Sequence, residues 1–416
     1  MGIYKINGGR KLSGKFEPES AKNSVLALVA AATLTDEEVV IRYCPLIDDV
    51  KNILEILSYL GINTHFEKDA LIIHAQNRKG FFVPENLCEK LRASTYMMGA
   101  LLSTYGKAVL GYPGGCKIGQ RPLDIHLDGL IKTGVNVAEK EGRIYCERIA
   151  QPFGKYLLKY PSFGATVNLI LASVIGKGRV ILQNVAREPE IQDLCNFLNS
   201  MGAKISGAGT CLIEIQGVNK LFGTEYFPIS DRIETGTYLL AAAITRGEIE
   251  IKSKNVKNIQ ELLNKILINS CNLLSNNDII YINFNSIPKG FDISTGPFPK
   301  FPTDLQSQTL AYLTLCKGKS IVAENVFDNR FSCVSQLTKM GANITLEGNM
   351  AIISGVERLV GCDVWAGDLR SGSALVLAGL SAQGETNVYD VEYLKRGYLN
   401  MVSKLNCLGA DITEIF

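Results

Sequence analysis

An internal repeat constrains this chain more than any other feature. A glycine that ends an amphipathic stretch and opens a strand-like run recurs as SYLGINTHF (58–66), IKTGVNVAE (131–139), NSMGAKISG (199–207), TKMGANITL (338–346) and NCLGADITE (406–414). A sixth, degenerate copy, LINSCNLLS (267–275), carries Ser270 in place of the glycine. The copies are about 70 residues apart, a period that marks a repeated structural unit. Glycine at such a junction is expected to close a helix in a left-handed conformation. Each junction follows a second shared element, an apolar helix: SAKNSVLALVAAA, RASTYMMGALL, SFGATVNLILAS, RIETGTYLLAAA, PTDLQSQTLAYLTL and RSGSALVLAGL. A Gly-containing turn, a strand such as GEIEIKS and a second, amphipathic helix come next. One unit therefore reads strand, apolar helix, strand, amphipathic helix, then paired strands. A chain of 416 residues exceeds one ordinary core, so six units divide naturally as three plus three. The expectation is an α/β protein of two similar lobes.

The first helix of each unit is apolar nearly all round, as a helix buried within its lobe must be. The starts of these helices carry the informative residues: Lys22 and Asn23, Arg92, Ser162 and Gly164, Arg232 and Glu234, Asp304, and Arg370. Free N–H groups and a positive dipole end make a helix start a natural anion site. Ser, Thr and Asp there also serve as N-caps. Capping does not account for lysine and arginine, which the dipole disfavours; an anion must offset that cost.

Bulk composition removes several classes. The net charge of +2 gives no general pull toward nucleic acid or membrane, and no basic stripe points to RNA. The apolar run SVLALVAAATL is far shorter than the roughly 20 residues a spanning helix needs. The start, MGIYKINGGRKLSG, reads as neither a signal peptide nor a myristoylation site. Eleven cysteines are scattered without a C-x-x-C and only three histidines occur, so no metal site is expected. Unpaired cysteines fit a reducing cytoplasm. Cys195 and Cys407 lie in apolar context and read as core. Cys116 does not. In YPGGCKIGQRPLDIH (112–126) it follows two glycines, and Lys117 and Arg121 should lower its pKa.

These residues fall in motifs that resemble those of the enolpyruvyl transferases. The motifs are SAKNS (Lys22, Asn23), LRAS (Arg92), PGGCKIGQRPLDIHL (Cys116, Arg121), SFGAT (Gly164), AREPEIQDL (Glu188, Glu190), DRIETGT (Asp231), FPTDLQ (Asp304), NRF (Arg330), DLRSGSALVLAG (Asp368, Arg370) and RGY (Arg396). Any one is weak, but ten in register along the whole chain are specific. The resemblance implies a two-lobed inside-out α/β barrel with helices in the middle of each lobe. Residues 21–229 would form the first lobe, and 1–20 with 230–416 the second. It implies phosphoenolpyruvate as donor and UDP-N-acetylglucosamine as acceptor, no cofactor, no metal, no nucleic acid or membrane partner, and a cytoplasmic, monomeric protein.

The resemblance also assigns roles. Cys116 would protonate the phosphoenolpyruvate methylene, Asp304 would take or orient the acceptor hydroxyl's proton, and Asp368 would accept a proton in the elimination. Lys22 and Arg396 join the catalytic set. Lys22, Asn23, Arg121, Arg330, Arg370 and Arg396 would bind phosphoenolpyruvate, a small polyanion whose burial needs several cations, and arginine pairs two oxygens at once. Asn23, Arg92, Arg121, Pro122, Leu123, Asp124, Ser162, Gly164, Asp304 and Val326 would contact the nucleotide sugar. Departures from the family pattern at Ser20, Ser24, Gln120, Tyr160, Phe163 and Gly372 bear on the acceptor and leave open transfer to a different nucleotide or sugar nucleotide. A second alternative, a non-catalytic paralog that binds nucleotide sugar, predicts erosion of Cys116, Asp304 or the cations, and all are intact.

Overall fold

The computed structural model describes residues 2–114, 119, 122–254, 256–267, 271–276, 278–284 and 287–416. Cys116, Lys117, Gln120, Arg121 and Ser270 lie outside the described residues. Among the described residues the chain forms two compact units, one of residues 20–114 with 122–229 and one of residues 2–19 and 119 with 230–416.

Each unit is built around three buried helices. In the first these are α1 (Lys22–Ala32), α2 (Tyr96–Tyr105) and α3 (Phe163–Ser173), with α2 packed on both others. In the second they are α4 (Arg232–Ile244), α5 (Gln306–Leu313) and α6 (Leu369–Ser381), which pack mutually. Every residue of α4 is buried, polar ones included, because apolar side chains around the whole circumference leave no face for water.

Three separate four-stranded sheets cover each helical centre. In the first unit they are Gly154–Leu157, Arg179–Gln183, Leu212–Gln216 and Lys204–Ser206; Phe82–Val83, Lys107–Gly111, Arg143–Arg148 and Val135–Lys140; and Thr224–Tyr226, Val39–Arg42, Ala70–His74 and Asn63–Glu67. All six sheets of the protein share one plan. A strand that precedes a buried helix pairs parallel with one that follows a buried helix, the same helix in four sheets and a different one in two, and two antiparallel strands complete the sheet. Alternation sets which face is inward: in Glu248–Lys252, Ile249 and Ile251 are fully buried while Lys252 is exposed.

Three strands leave their place in the sequence order. Ser13–Phe16 precedes α1 but pairs parallel with Glu248–Lys252, which follows α4. Thr224–Tyr226 precedes α4 but pairs with Val39–Arg42, which follows α1. Ile3–Asn7 inserts between Glu385–Tyr389 and Ile412–Ile415 and so completes the last repeat.

The junction glycines Gly61, Gly134, Gly202, Gly341 and Gly409 have φ of +73°, +97°, +97°, +95° and +90°. L-residues avoid that region, which is why the repeat keeps glycine there. Cys195 is buried, but Cys407 is exposed. The helix Met401–Cys407 turns Met401 and Leu405 inward and leaves Cys407 on the outer side, so the apolar context belonged to its neighbours. Among the described residues no helix is long and apolar enough to cross a membrane.

Candidate active site

In the unit of residues 20–229, α1 opens directly on Lys22 and Asn23, and Ala21 before it provides no side-chain cap. An ammonium at the positive end of a helix needs an anion beside it. Asp49, in the first turn of the helix Asp48–Tyr59, supplies one at 2.6 Å, with the Lys22 side chain 12% and Asp49 4% exposed. Next along α1, the Ser24 hydroxyl donates to buried Asp193, which also accepts from the Tyr226 hydroxyl at 2.7 Å and from the Ile229 N–H at 3.3 Å. Burial pushes the Asp193 carboxyl above its ordinary pKa, and these donors oppose the rise.

Arg92 opens the turn Arg92–Thr95 that runs into α2, and its carbonyl accepts from the Thr95 hydroxyl at 3.0 Å. Pro122, Leu123 and Asp124 lead into the helix Asp124–Lys132, Leu123 buried and the other two exposed. Ser162 caps α3, its hydroxyl accepting from the Ala165 N–H at 3.3 Å. Gly164, inside that first turn, lies against the buried ring of His126: a Cβ there would stand 3.0 Å from Cε1 and 3.2 Å from Nε2. His126 Nδ1 is 2.8 Å from Asn168 Nδ2, and Asn168 Oδ1 accepts from the Gly99 N–H at 2.9 Å. The Gly99 bond fixes the amide orientation. An amide nitrogen only donates, so the network assigns the imidazole proton to Nε2, on the side of Gly164.

In the other unit, Asp304 lies in the turn Thr303–Leu305 that leads into α5, with Pro302 at the N-cap position. Its Oδ1 meets Arg330 Nη2 at 2.5 Å and its Oδ2 meets Arg370 Nη2 at 2.8 Å. The guanidiniums are 2% and 8% exposed and the carboxylate 26%. Burial works against the charge on Arg370, but Asp304, with Tyr398 and Asp231, more than offsets it, and its pKa is raised. Arg370 Nη1 also donates to the Tyr398 hydroxyl at 3.4 Å. Asp368 caps α6, accepting from the N–H groups of Arg370 at 2.8 Å and Ser371 at 3.1 Å, and from the Ser332 hydroxyl at 2.7 Å. That cap fixes the backbone from which Arg370 projects. Arg396 ends the short helix Glu392–Lys395 and is half-buried. Val326 lies in the loop after the strand Lys319–Ala323, its N–H held by Glu324 at 2.8 Å.

The structure thus brings Asp304, Arg330 and Arg370 into one charged cluster, with Asp368 behind it. Cys116 and Arg121 are outside the described residues. Sequence reasoning missed Asp49, Asp193, His126, Glu324 and Tyr398. His126, Asp193 and Tyr398 stood in motifs already singled out, PGGCKIGQRPLDIHL, AREPEIQDL and RGY, without being picked from them; Asp49 and Glu324 stood in none, and the partners Lys22 and Thr303 lie 27 and 21 positions away.

The family model for EPSP synthase (3-phosphoshikimate 1-carboxyvinyltransferase) matches residues 6–405. The chain is 45% identical, over 100% of both chains, to "UDP-N-acetylglucosamine 1-carboxyvinyltransferase 2" of Caldanaerobacter subterraneus subsp. tengcongensis. It is 41% identical to "UDP-N-acetylglucosamine 1-carboxyvinyltransferase" of Thermotoga maritima, over 100% of this chain and 99% of the relative. Among solved structures, the enolpyruvyl transferase NikO from Streptomyces tendae superposes with a TM-score of 0.89 at 22% identity, covering 99% of this chain and 98% of that one. EPSP synthase from Acinetobacter baumannii gives a TM-score of 0.76 at 17% identity over 100% of both chains. At those identities the structures bear on the fold alone.

Proposed function

The chain belongs to the EPSP synthase family of enolpyruvyl (1-carboxyvinyl) transferases, and from that premise we propose that it transfers the enolpyruvyl group of phosphoenolpyruvate to the 3′-hydroxyl of UDP-N-acetylglucosamine. Phosphate is released, and the product is the first committed precursor of peptidoglycan. The observation that carries the reading is the Asp304 cluster. Two buried guanidiniums converge on one carboxylate, an arrangement of planar donors suited to a bound carboxylate or phosphate. The names of the full-length relatives support the acceptor.

Arg330 and Arg370 take the donor's carboxylate, and Lys22, Arg121 and Arg396 its phosphate. The Cys116 thiol gives its proton to the methylene carbon, which leaves C2 electrophilic. The sugar hydroxyl oxygen bonds to C2 while Asp304 accepts its proton. The C2–O bond to phosphate then breaks as the methyl group gives up a proton, which we assign to Asp368, and the methylene is restored. Asn23 steadies the intermediate. Arg92, Arg121, Pro122, Leu123, Asp124, Ser162, Gly164 and Val326, with Asn23 and Asp304, contact the nucleotide sugar. The reaction belongs in the cytoplasm, where thiols stay reduced, an environment suited to the nine free cysteines described. The test is phosphate release from phosphoenolpyruvate with UDP-N-acetylglucosamine, set against UDP, UMP and UDP-glucose. Release with UDP-N-acetylglucosamine alone is expected. Equal or greater release with another acceptor would reassign the substrate, and none with any would end the catalytic reading.

A further inference from the structure

Glu324 is a buried carboxylate, 3% exposed, that no step above uses. It stands one residue past the strand Lys319–Ala323, where its backbone N–H still donates to the Asn349 carbonyl at 2.9 Å. Its two oxygens face in different directions. Oε2 accepts from the Thr303 hydroxyl at 2.9 Å, next to Asp304. Oε1 accepts from two consecutive loop amides, Val326 N–H at 2.8 Å and Phe327 N–H at 3.1 Å. One carboxylate therefore ties the turn that carries Asp304 to the loop that carries Val326.

The tie closes a ring. Thr303 leads to Asp304, which pairs with Arg330 Nη2 at 2.5 Å. The Arg330 guanidinium lies over the Phe327 ring, 5.4 Å from its centroid, and also donates to the Thr303 carbonyl at 3.4 Å. Phe327 N–H returns to Glu324. Every contact in the ring lies in the same unit. A buried carboxylate persists only where donors satisfy it. Three donors from two separate segments do so here, and those segments carry two residues assigned to the reaction.

We propose that Glu324 is the positioning residue that sets the Asp304 carboxylate in register with the Val326–Phe327 loop, and so with the nucleotide sugar. This rests on the assignment of Asp304 and Val326 to catalysis and sugar binding. Glu324 touches no reacting atom; it acts through the ring. Misplacing a reacting group by about 1 Å costs about 10²-fold in rate, and the same loss of register should loosen the loop's hold on the acceptor. Glutamine at this position keeps an oxygen for the two amides, and its nitrogen can donate to Thr303 Oγ1, so the ring survives. Alanine leaves three donors without an acceptor. Valine at position 303 cuts only the arm toward Asp304.

The test measures kcat and KM for UDP-N-acetylglucosamine, with kcat expressed per binding-competent molecule counted by calorimetric titration with that nucleotide sugar. Glu324→Ala should lower kcat by about 10²-fold and raise KM by about 10-fold. Glu324→Gln should stay within about 5-fold of wild type in both. Thr303→Val should lower kcat by about 10-fold with KM unchanged. The split between the two variants is what a merely structural role would not produce. Asp304→Asn is run alongside. If it retains wild-type turnover, the assignment of Asp304 fails. If it loses turnover while Glu324→Ala and Thr303→Val match wild type, the assignment stands and the positioning role is overturned. Should Glu324→Ala not fold, Thr303→Val and Glu324→Gln decide: wild-type kcat in the first, or alanine-like losses in a folded second, would overturn it.

Discussion

Replacing Asp304 with asparagine removes one negative charge from between two buried guanidiniums at nearly constant volume. Neutralising one partner of a buried ion pair costs about 3–5 kcal/mol, because the surviving charge is left uncompensated. Here Arg330 and Arg370, 2% and 8% exposed, depend on the same carboxylate, so the upper half of that range applies. In a unit of this size 1 kcal/mol moves Tm by about 2–4 °C, which puts the fall at about 8–20 °C. An anion that occupies the cluster replaces the missing charge. Phosphate or phosphoenolpyruvate should therefore raise the Tm of the variant more than that of wild type. Turnover, followed as phosphate release, should fall by about 10²–10⁴-fold, the usual worth of a general base. Asparagine would be harmless if Asp304 were only an N-cap, since the two residues cap equally well, but the N-cap position of this turn is Pro302 and both Asp304 oxygens meet guanidiniums. A variant that melts within about 2 °C of wild type would refute the electrostatic argument. Wild-type turnover would remove the base from the mechanism.

An epoxide phosphonate that mimics phosphoenolpyruvate should alkylate Cys116 selectively, and faster with nucleotide sugar bound. Burial holds the Cys88 thiol up at about 11 and those of Cys44, Cys146, Cys195, Cys316 and Cys333 at about 12, so peptide mapping that found label spread evenly over the cysteines would contradict this. Asp368→Asn should keep the cap on α6 and melt like wild type, while turnover falls by about 10²-fold or more if the carboxylate takes a proton; full turnover would leave Asp368 as a cap alone. Burial pushes the Glu234 carboxyl from 4.5 up to about 7, against the pull of Lys404. Folding then takes up a proton between those values, so stability falls as pH rises through that window. Tm measured from pH 5 to 8 should slope downward less in Glu234→Gln, and parallel slopes would count against the assignment. Gly341→Ala adds a Cβ with nothing within 4 Å but at φ +95°, so chemical denaturation should show a loss of about 1–2 kcal/mol from the backbone alone; an unchanged midpoint would mean the junction relaxes.

The parts of the fold legible in the sequence are those the repeat imposes locally. A helix with no polar face must be central, and the glycine that ends its amphipathic partner must tolerate positive φ; both can be read within a dozen residues. The identities at the helix starts were legible for the same reason. What those residues touch was not. Asp304 at FPTD looks the same whether it caps a turn or pairs with arginines 26 and 66 positions away. Lys22 reads as a helix-start cation in need of an anion, and nothing in the sequence says that the helix Asp48–Tyr59 sets Asp49 against it. Glu324 sits in an unremarkable strand end, and its meaning depends on a turn 21 residues earlier.

The polar residues where the chain passes between its units follow a different logic from the repeat. Among the described residues two such passages occur, at 19–20 and 229–230. Each lies beside a strand that pairs out of sequence order, and each leaves a peptide N–H that needs an acceptor. At one, Glu234 accepts from the Glu19 N–H at 2.7 Å and is itself paired with Lys404 at 2.8 Å. At the other, Asp193 accepts from the Ile229 N–H at 3.3 Å together with Ser24 and Tyr226. Flanking backbone bonds match as well, Asp231 N–H to the Glu19 carbonyl and Ala21 N–H to the Ile229 carbonyl, both at 2.8 Å. Yet the two carboxylates are not equivalent in the repeat. Glu234 is in the first turn of the buried helix α4, whereas Asp193 is on the outer helix Pro189–Ser200. Burying a carboxylate is unfavourable unless donors surround it, so neither would persist in a unit that gained nothing from it. The same physical need is met twice by residues at different repeat positions, which is why comparing the six copies against one another does not reveal it.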